Sequence, residues 1–209
     1  MRVVDGGRLE DLERLIQTPS THLDDQNNAG QTALMVACRR GRFDFAKALL
    51  QAGANANLRQ SKHGASAAWI LVERTGNEDM LAALVKDFGA DATIVDGAGR
   101  TLLHEAASRG RKRLVEWLAL TPEVDVLAKD AAGKTALEEA KTSNNTRPEV
   151  VTCLKERMRK RRQEERMKQE EKMKQEEMRT ATTMTTTILT TKAITTATAL
   201  RKRRSKSDS

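Results

Sequence analysis

The side chains best suited to chemistry here are three histidines, two cysteines, a pair of adjacent aspartates and a large set of arginines and lysines. Their spacing argues against catalysis. His22 and His63 fall in expected loops with no set of metal ligands around them, and His104 stands alone in an apolar run. Cys38 and Cys153 are far apart and unpaired by spacing, as small buried residues of a reducing compartment would be. Asp24 and Asp25 precede a turn and are expected to face water. The chain has no Gly-x-x-x-x-Gly-Lys-Ser/Thr phosphate loop, no Gly-x-Ser-x-Gly elbow and no plausible Ser/His/Asp order. No enzyme, cofactor or metal is expected, so function must rest on binding.

The cations point to two regions of different character. Lys and Arg total 37 against 29 Asp and Glu, a net charge of +8. Residues 1–154 carry 20 cations and 21 anions, whereas residues 155–209 carry 17 and 8. The basicity therefore belongs to the C-terminal quarter, which is the pattern of a near-neutral module with an interaction tail. Trp69, Trp117, Phe43, Phe45 and Phe88 are the only aromatic residues. A core of Ala, Leu and Val suits thin, closely stacked helices better than a sandwich or barrel. The N-terminal residues lack the apolar stretch of a signal peptide, and no run reaches the roughly 18 apolar residues that span a bilayer. A soluble intracellular protein, cytoplasmic or nuclear, is expected, without membrane attachment and as a monomer.

Self-similarity supplies the elements that position these residues. Four segments align, with first glycines Gly30, Gly64, Gly99 and Gly133 separated by 34, 35 and 34 residues. A second glycine follows in three of them, Gly41, Gly76 and Gly110. The Asp/Asn-x-x-Gly groups at Asn27, Asp96 and Asp130 predict tight turns, since glycine accepts the positive φ such turns demand. Thr32, Thr101 and Thr135 stand where a hydroxyl caps a helix, and where a second glycine follows the helix should stop at it. A second helix is expected in each unit, as in Phe43–Leu50 and Leu114–Leu118. One such pair cannot bury its apolar face alone, but stacked pairs can.

At these residues the sequence resembles the ankyrin-repeat family. Thr101-Leu102-Leu103-His104-Glu105-Ala106-Ala107 departs by one residue from the family's Thr-Pro-Leu-His-x-Ala-Ala. Met35 and Glu138 replace the histidine in two units, and the Gly64 unit reads Ser66-Ala67-Ala68-Trp69. The resemblance implies an all-α solenoid of stacked helix pairs with hairpin loops. Its units would be 27–58, 59–94, 95–128 and 129–154, after an N-terminal capping helix pair in 1–26. It also implies that His104 ties neighbouring turns, and that a protein partner binds the concave face.

By the same resemblance Arg39, Arg40, Arg74 and Arg109 end inner helices on that face, with Arg100 and Lys134 at the hairpin tips. They would form a basic stripe suited to an acidic or phosphorylated segment, because the guanidinium fork matches carboxylates and phosphates. Ordinary surface solubility is the competing explanation. Trp69, in place of the histidine, is a candidate exposed anchor.

Beyond the repeats, Thr146-Arg147-Pro148-Glu149 reads as a helix start, and a charged helix is expected over 155–179. Met158, Met167, Met173 and Met178 form no coiled-coil seam, which favours a solitary helix. The Thr-rich stretch that follows has no apolar period, so a disordered basic tail is expected over 180–209. It ends in Arg201, Lys202, Arg203, Arg204 and Lys206, a cluster of the nuclear-targeting kind. Two functions follow. One is an adaptor that holds a partner on the concave face. The other is a nucleic-acid-associated or nuclear regulatory protein whose tail contacts phosphates while the repeats recruit a partner.

Overall fold

In the computed structural model the described residues exclude 1–3, 5, 19–21, 61–63, 146 and 208–209, and the side chains of 181, 185–191 and 193–207. His63 and Thr146 thus lie outside the described residues. The chain divides into two compact units, residues 1–159 and 160–209.

In the first unit the helices are α1 (Leu9–Ile16), α2 (Ala33–Arg40), α3 (Phe43–Gln51), α4 (Ala67–Arg74), α5 (Glu78–Lys86), α6 (Leu102–Ser108), α7 (Lys112–Leu120) and α8 (Ala136–Thr142). The first turns of α9 (Pro148–Ser207) complete it. Each inner helix starts on a hydroxyl cap: Thr32, Ser66, Thr101 and Thr135 accept from the backbone N–H groups of Met35, Trp69, His104 and Glu138. The expected turns precede three of them. Asn27, Asp96 and Asp130 each accept two backbone N–H groups through Oδ1, at 2.8–3.0 Å.

The inner helices α2, α4, α6 and α8 pack against one another in sequence order. The outer helices α3, α5 and α7 back onto the inner helix of their own repeat. Apolar residues recur at helical spacing along each outer helix: Ala46, Leu49 and Leu50; Leu81 and Leu84; Leu114, Val115 and Leu118. Val150, Leu154 and Met158 continue this series at the start of α9 and are buried in the same core. Those turns are therefore the outer helix of the fourth repeat. At the other end α1 packs on α3, and the Arg42 guanidinium donates to the Val4 and Gly7 carbonyls at 3.0 and 2.5 Å while lying 3.6 Å over the Phe45 ring.

The helix expected to end at Arg179 instead continues to Ser207, through the stretch expected to be disordered. No glycine or proline interrupts it after Pro148. The threonines that weaken helix propensity here turn their hydroxyls onto the helix itself. Thr180, Thr182 and Thr183 each donate to a carbonyl three or four residues back, at 2.8 Å. In the second unit Arg161 reaches Glu164 and Glu165 at 3.9 Å, and Met167, Met173, Met178 and Met184 are all exposed.

Two glycines separate conformational from steric cost. Gly133 has φ +77° with open space around its missing Cβ, whereas a Cβ on Gly110 (φ +64°) would lie 2.5 Å from the Asn145 carbonyl oxygen. Gly133→Ala is expected to cost roughly 1–2 kcal/mol, the left-handed penalty alone. Gly110→Ala is expected to cost about 3 kcal/mol or more, because backbone must also move. Thermal melts of the two variants check this ordering, and equal shifts would contradict it.

Candidate binding surface

The inner helices and hairpins enclose an open groove of about 1400 Å³ to which all four repeats contribute. Ala29, Gln31 and Arg39 come from the first repeat and Ala65, Trp69, Ile70, Glu73 and Arg74 from the second. Asp96, Arg100, Glu105 and Arg109 come from the third, and Ser143 and Asn145 close the fourth. Five of the seven residues singled out in the sequence (Arg39, Trp69, Arg74, Arg100 and Arg109) meet in this one groove. Arg40 and Lys134 do not line it. Lys134 instead offers its carbonyl to His104 Nε2 at 3.0 Å.

His104 does tie neighbouring hairpins together. Its Nδ1 accepts the Thr101 backbone N–H at 3.2 Å, which leaves the proton on Nε2 to donate to Lys134. Trp69, at the equivalent place, is buried rather than an exposed anchor, with 6% of its surface accessible. The Arg100 guanidinium lies 5.9 Å from its ring centroid. Other side chains cross-link that repeat. Gln60 Nε2 donates to the Ala29 carbonyl at 2.9 Å, and Arg59 donates to the Gly64 and Val95 carbonyls.

The arginines do not form an uninterrupted basic stripe, because acidic residues alternate with them. Arg100 reaches Asp96 at 2.8 Å and Glu105 at 3.2 Å. Arg109 contacts Glu105, and Glu73 at 3.4 Å; Glu73 lies 3.7 Å from Arg74. The order Asp96, Arg100, Glu105, Arg109, Glu73, Arg74 alternates in sign and sums to zero. Glu105 is its buried centre, with 4% of the side chain exposed and a cation on either side. Arg39 and Arg59 make no ion pair among the described residues; Arg59 is bonded to the Gly64 and Val95 carbonyls, which leaves Arg39 as an open cation of the groove.

Burial alone would raise the Asp96 carboxyl, but the Arg100 backbone N–H and guanidinium and the Ala98 N–H outweigh it and hold the group below its ordinary value. Burial pushes the Cys38 thiol up to about 12, so it is protonated at neutral pH and is not a nucleophile. His22, Asp24 and Asp25 are exposed, as expected for the aspartates, although Asp24 accepts the Asn55 N–H at 2.9 Å. No group of three or more His, Cys, Asp or Glu residues is arranged to hold a metal ion among the described residues.

This repeat geometry is matched by a family model described as ankyrin repeats (3 copies), over residues 1–96 and 68–163. The chain belongs to the ankyrin-repeat family. Human BCL-6 corepressor-like protein 1 is 33% identical to it over 100 residues, and the mouse protein of that name is 35% identical over 100 residues. The match covers 48% of this chain and 5% of each relative, so the chain corresponds to a small part of these proteins. Among the described residues no helix is long and apolar enough to cross a membrane.

The lowered Asp96 pKa fixes the sign of a pH effect. Its contribution to stability is present above the unfolded carboxyl value of ~3.9 and is lost as pH falls through the lower folded value. Asp96→Asn is therefore expected to lower the melting temperature at neutral pH and to narrow its gap to the unsubstituted protein as pH drops below ~3.9. A constant gap down to the acid limit would contradict that assignment.

Proposed function

We propose that this ankyrin-repeat protein is a non-enzymatic adaptor that holds an acidic segment of a partner protein in the concave groove. Ankyrin repeats are protein-interaction modules, and the family is typically non-enzymatic. The observation that carries the finer reading is the charge of the groove. Its six-residue ion chain is self-neutralising, while Arg39 is left open. The surplus is positive, on a surface that four repeats build together.

Ala65 lines this groove and is small, so Ala65→Trp is a suitable plug. Affinity capture with the full chain is expected to retain partners that Ala65→Trp loses while its far-ultraviolet circular dichroism is unchanged. Retention of every partner by the plugged protein would exclude the groove.

A second reading rests on the tail and on the corepressor-like name of the relatives: a nuclear regulatory protein located by Arg201, Lys202, Arg203, Arg204 and Lys206. These residues lie in the helical backbone of α9, with side chains outside the description. A fluorescent fusion lacking residues 200–209 is expected to lose nuclear enrichment. Unaltered nuclear entry would remove this reading and leave the adaptor role untouched.

A further inference from the structure

The groove is uneven along its length, and the difference indicates where a partner's charge is read. The third-repeat end is internally satisfied: Arg100 and Arg109 are both committed to buried Glu105 and to a further carboxylate each. The first-repeat end holds donors without acceptors. Gln31 is 3% exposed, lines the groove, and its side-chain nitrogen has no hydrogen-bond partner among the described residues. A buried amide left in this way costs free energy that an incoming acceptor recovers. Arg39, at the far end of the inner helix that Gln31 precedes, is exposed and without an ion pair among the described residues. Among the described residues the side chain of Arg74 in the next repeat is 57% exposed and pairs only with Glu73, at 3.7 Å, the sort of surface pair that contributes little and is readily exchanged.

We infer that the end of the groove formed by the first two repeats is a carboxylate-reading subsite for an extended partner segment. An Asp or Glu side chain pairs with Arg39 and draws in Arg74, while a backbone carbonyl of the same segment accepts from Gln31. The spacing is set by the helix between the two donors. At about 1.5 Å per residue, α2 measures about 12 Å, the reach of about four extended residues. Carbonyl and carboxylate should therefore stand about four residues apart in the ligand. The occupant is an acidic peptide segment rather than a basic or apolar one, because the open groups here are donors and Glu73, the one acid that the first two repeats contribute to the groove lining among the described residues, is already shared between two arginines.

This inference rests on the groove being the binding surface, and the test separates the two. A random peptide library displayed on phage is selected on immobilised full-length protein, on Arg39→Ser and on Ala65→Trp. The unsubstituted protein is expected to enrich peptides bearing Asp or Glu, and Arg39→Ser to lose that enrichment. For a selected peptide, changing its acidic residue to the amide should weaken binding about tenfold, as loss of one charged hydrogen bond does. Gln31→Ala should weaken the same peptide, and Lys47→Ser, an exposed outer-helix control, should not. Selected peptides that are lost on Ala65→Trp but carry no acidic enrichment would overturn the subsite and leave the groove standing. Peptides that bind Ala65→Trp as well as the unsubstituted protein would overturn both.

Discussion

Everything in the first unit depends on the burial of the inner helices against one another, since no single repeat encloses its own apolar surface. The layer is thin, and space within it is tightly divided. Counting from each capping hydroxyl, the second and fifth helix positions are Leu34 with Ala37, Ala68 with Leu71, Leu103 with Ala106, and Leu137 with Ala140. Every pair is one leucine and one alanine at a spacing of three, so both lie on one helix face. In the second repeat their order is inverted. Both of its residues remain fully buried, so the exchange keeps the filled volume while moving it along the helix. The Gly64 unit departs from the family pattern in residues but keeps the quantity on which stacking depends.

The same compensation governs the hairpins. In the third repeat one imidazole links two turns, because its two ring nitrogens accept from Thr101 and donate to Lys134. The Trp69 side chain makes no hydrogen bond among the described residues at the equivalent place, and the link passes to Gln60 and Arg59. Asn57 adds another, donating to the Gly89 carbonyl and accepting the Asp91 N–H at 3.0 and 2.8 Å. The hairpin row thus stays continuous by redistribution of its donors rather than by repetition of one residue.

This division explains what was legible in the sequence. Glycines, capping hydroxyls and helical apolar spacing are local signals, and they placed the repeats; five of the candidate residues meet in one groove. The alternation of charge was less apparent, because Glu73 enters the groove from the second repeat and only stacking sets it beside Arg109, while Asp96 meets Arg100 within one hairpin. Glu105 was nearer to hand, four residues before Arg109 and so one helical turn away. Reading arginines alone along a face, without the acids one turn earlier, gives a stripe where the folded protein has a neutral chain. Trp69 was misplaced for the opposite reason: a large aromatic in a polar position suggests exposure, yet neighbouring hairpins and Arg100 cover it. In α9 the Thr-rich stretch has no apolar period and argued for disorder, yet no glycine or proline breaks it and the helical backbone continues to Ser207.

The two ends of the groove differ because they have different work within the stack. Burying Glu105 in the third repeat requires cations on both sides, since an unpaired carboxylate there would be costly. Arg100 and Arg109 are thereby committed to the fold. The first repeat has Val36 where the third has Glu105, and an apolar residue makes no such demand. Arg39 stands one position before Arg40, the counterpart of Arg109, and makes no ion pair among the described residues, so it is left to solvent and to whatever binds. A cation that the fold does not require contributes more to recognition than one that it does, because ligand need not displace an internal carboxylate. On that ground the repeat closest to the family pattern is the structural anchor of the groove, and its less orthodox neighbours carry the open donors on which the proposed subsite rests.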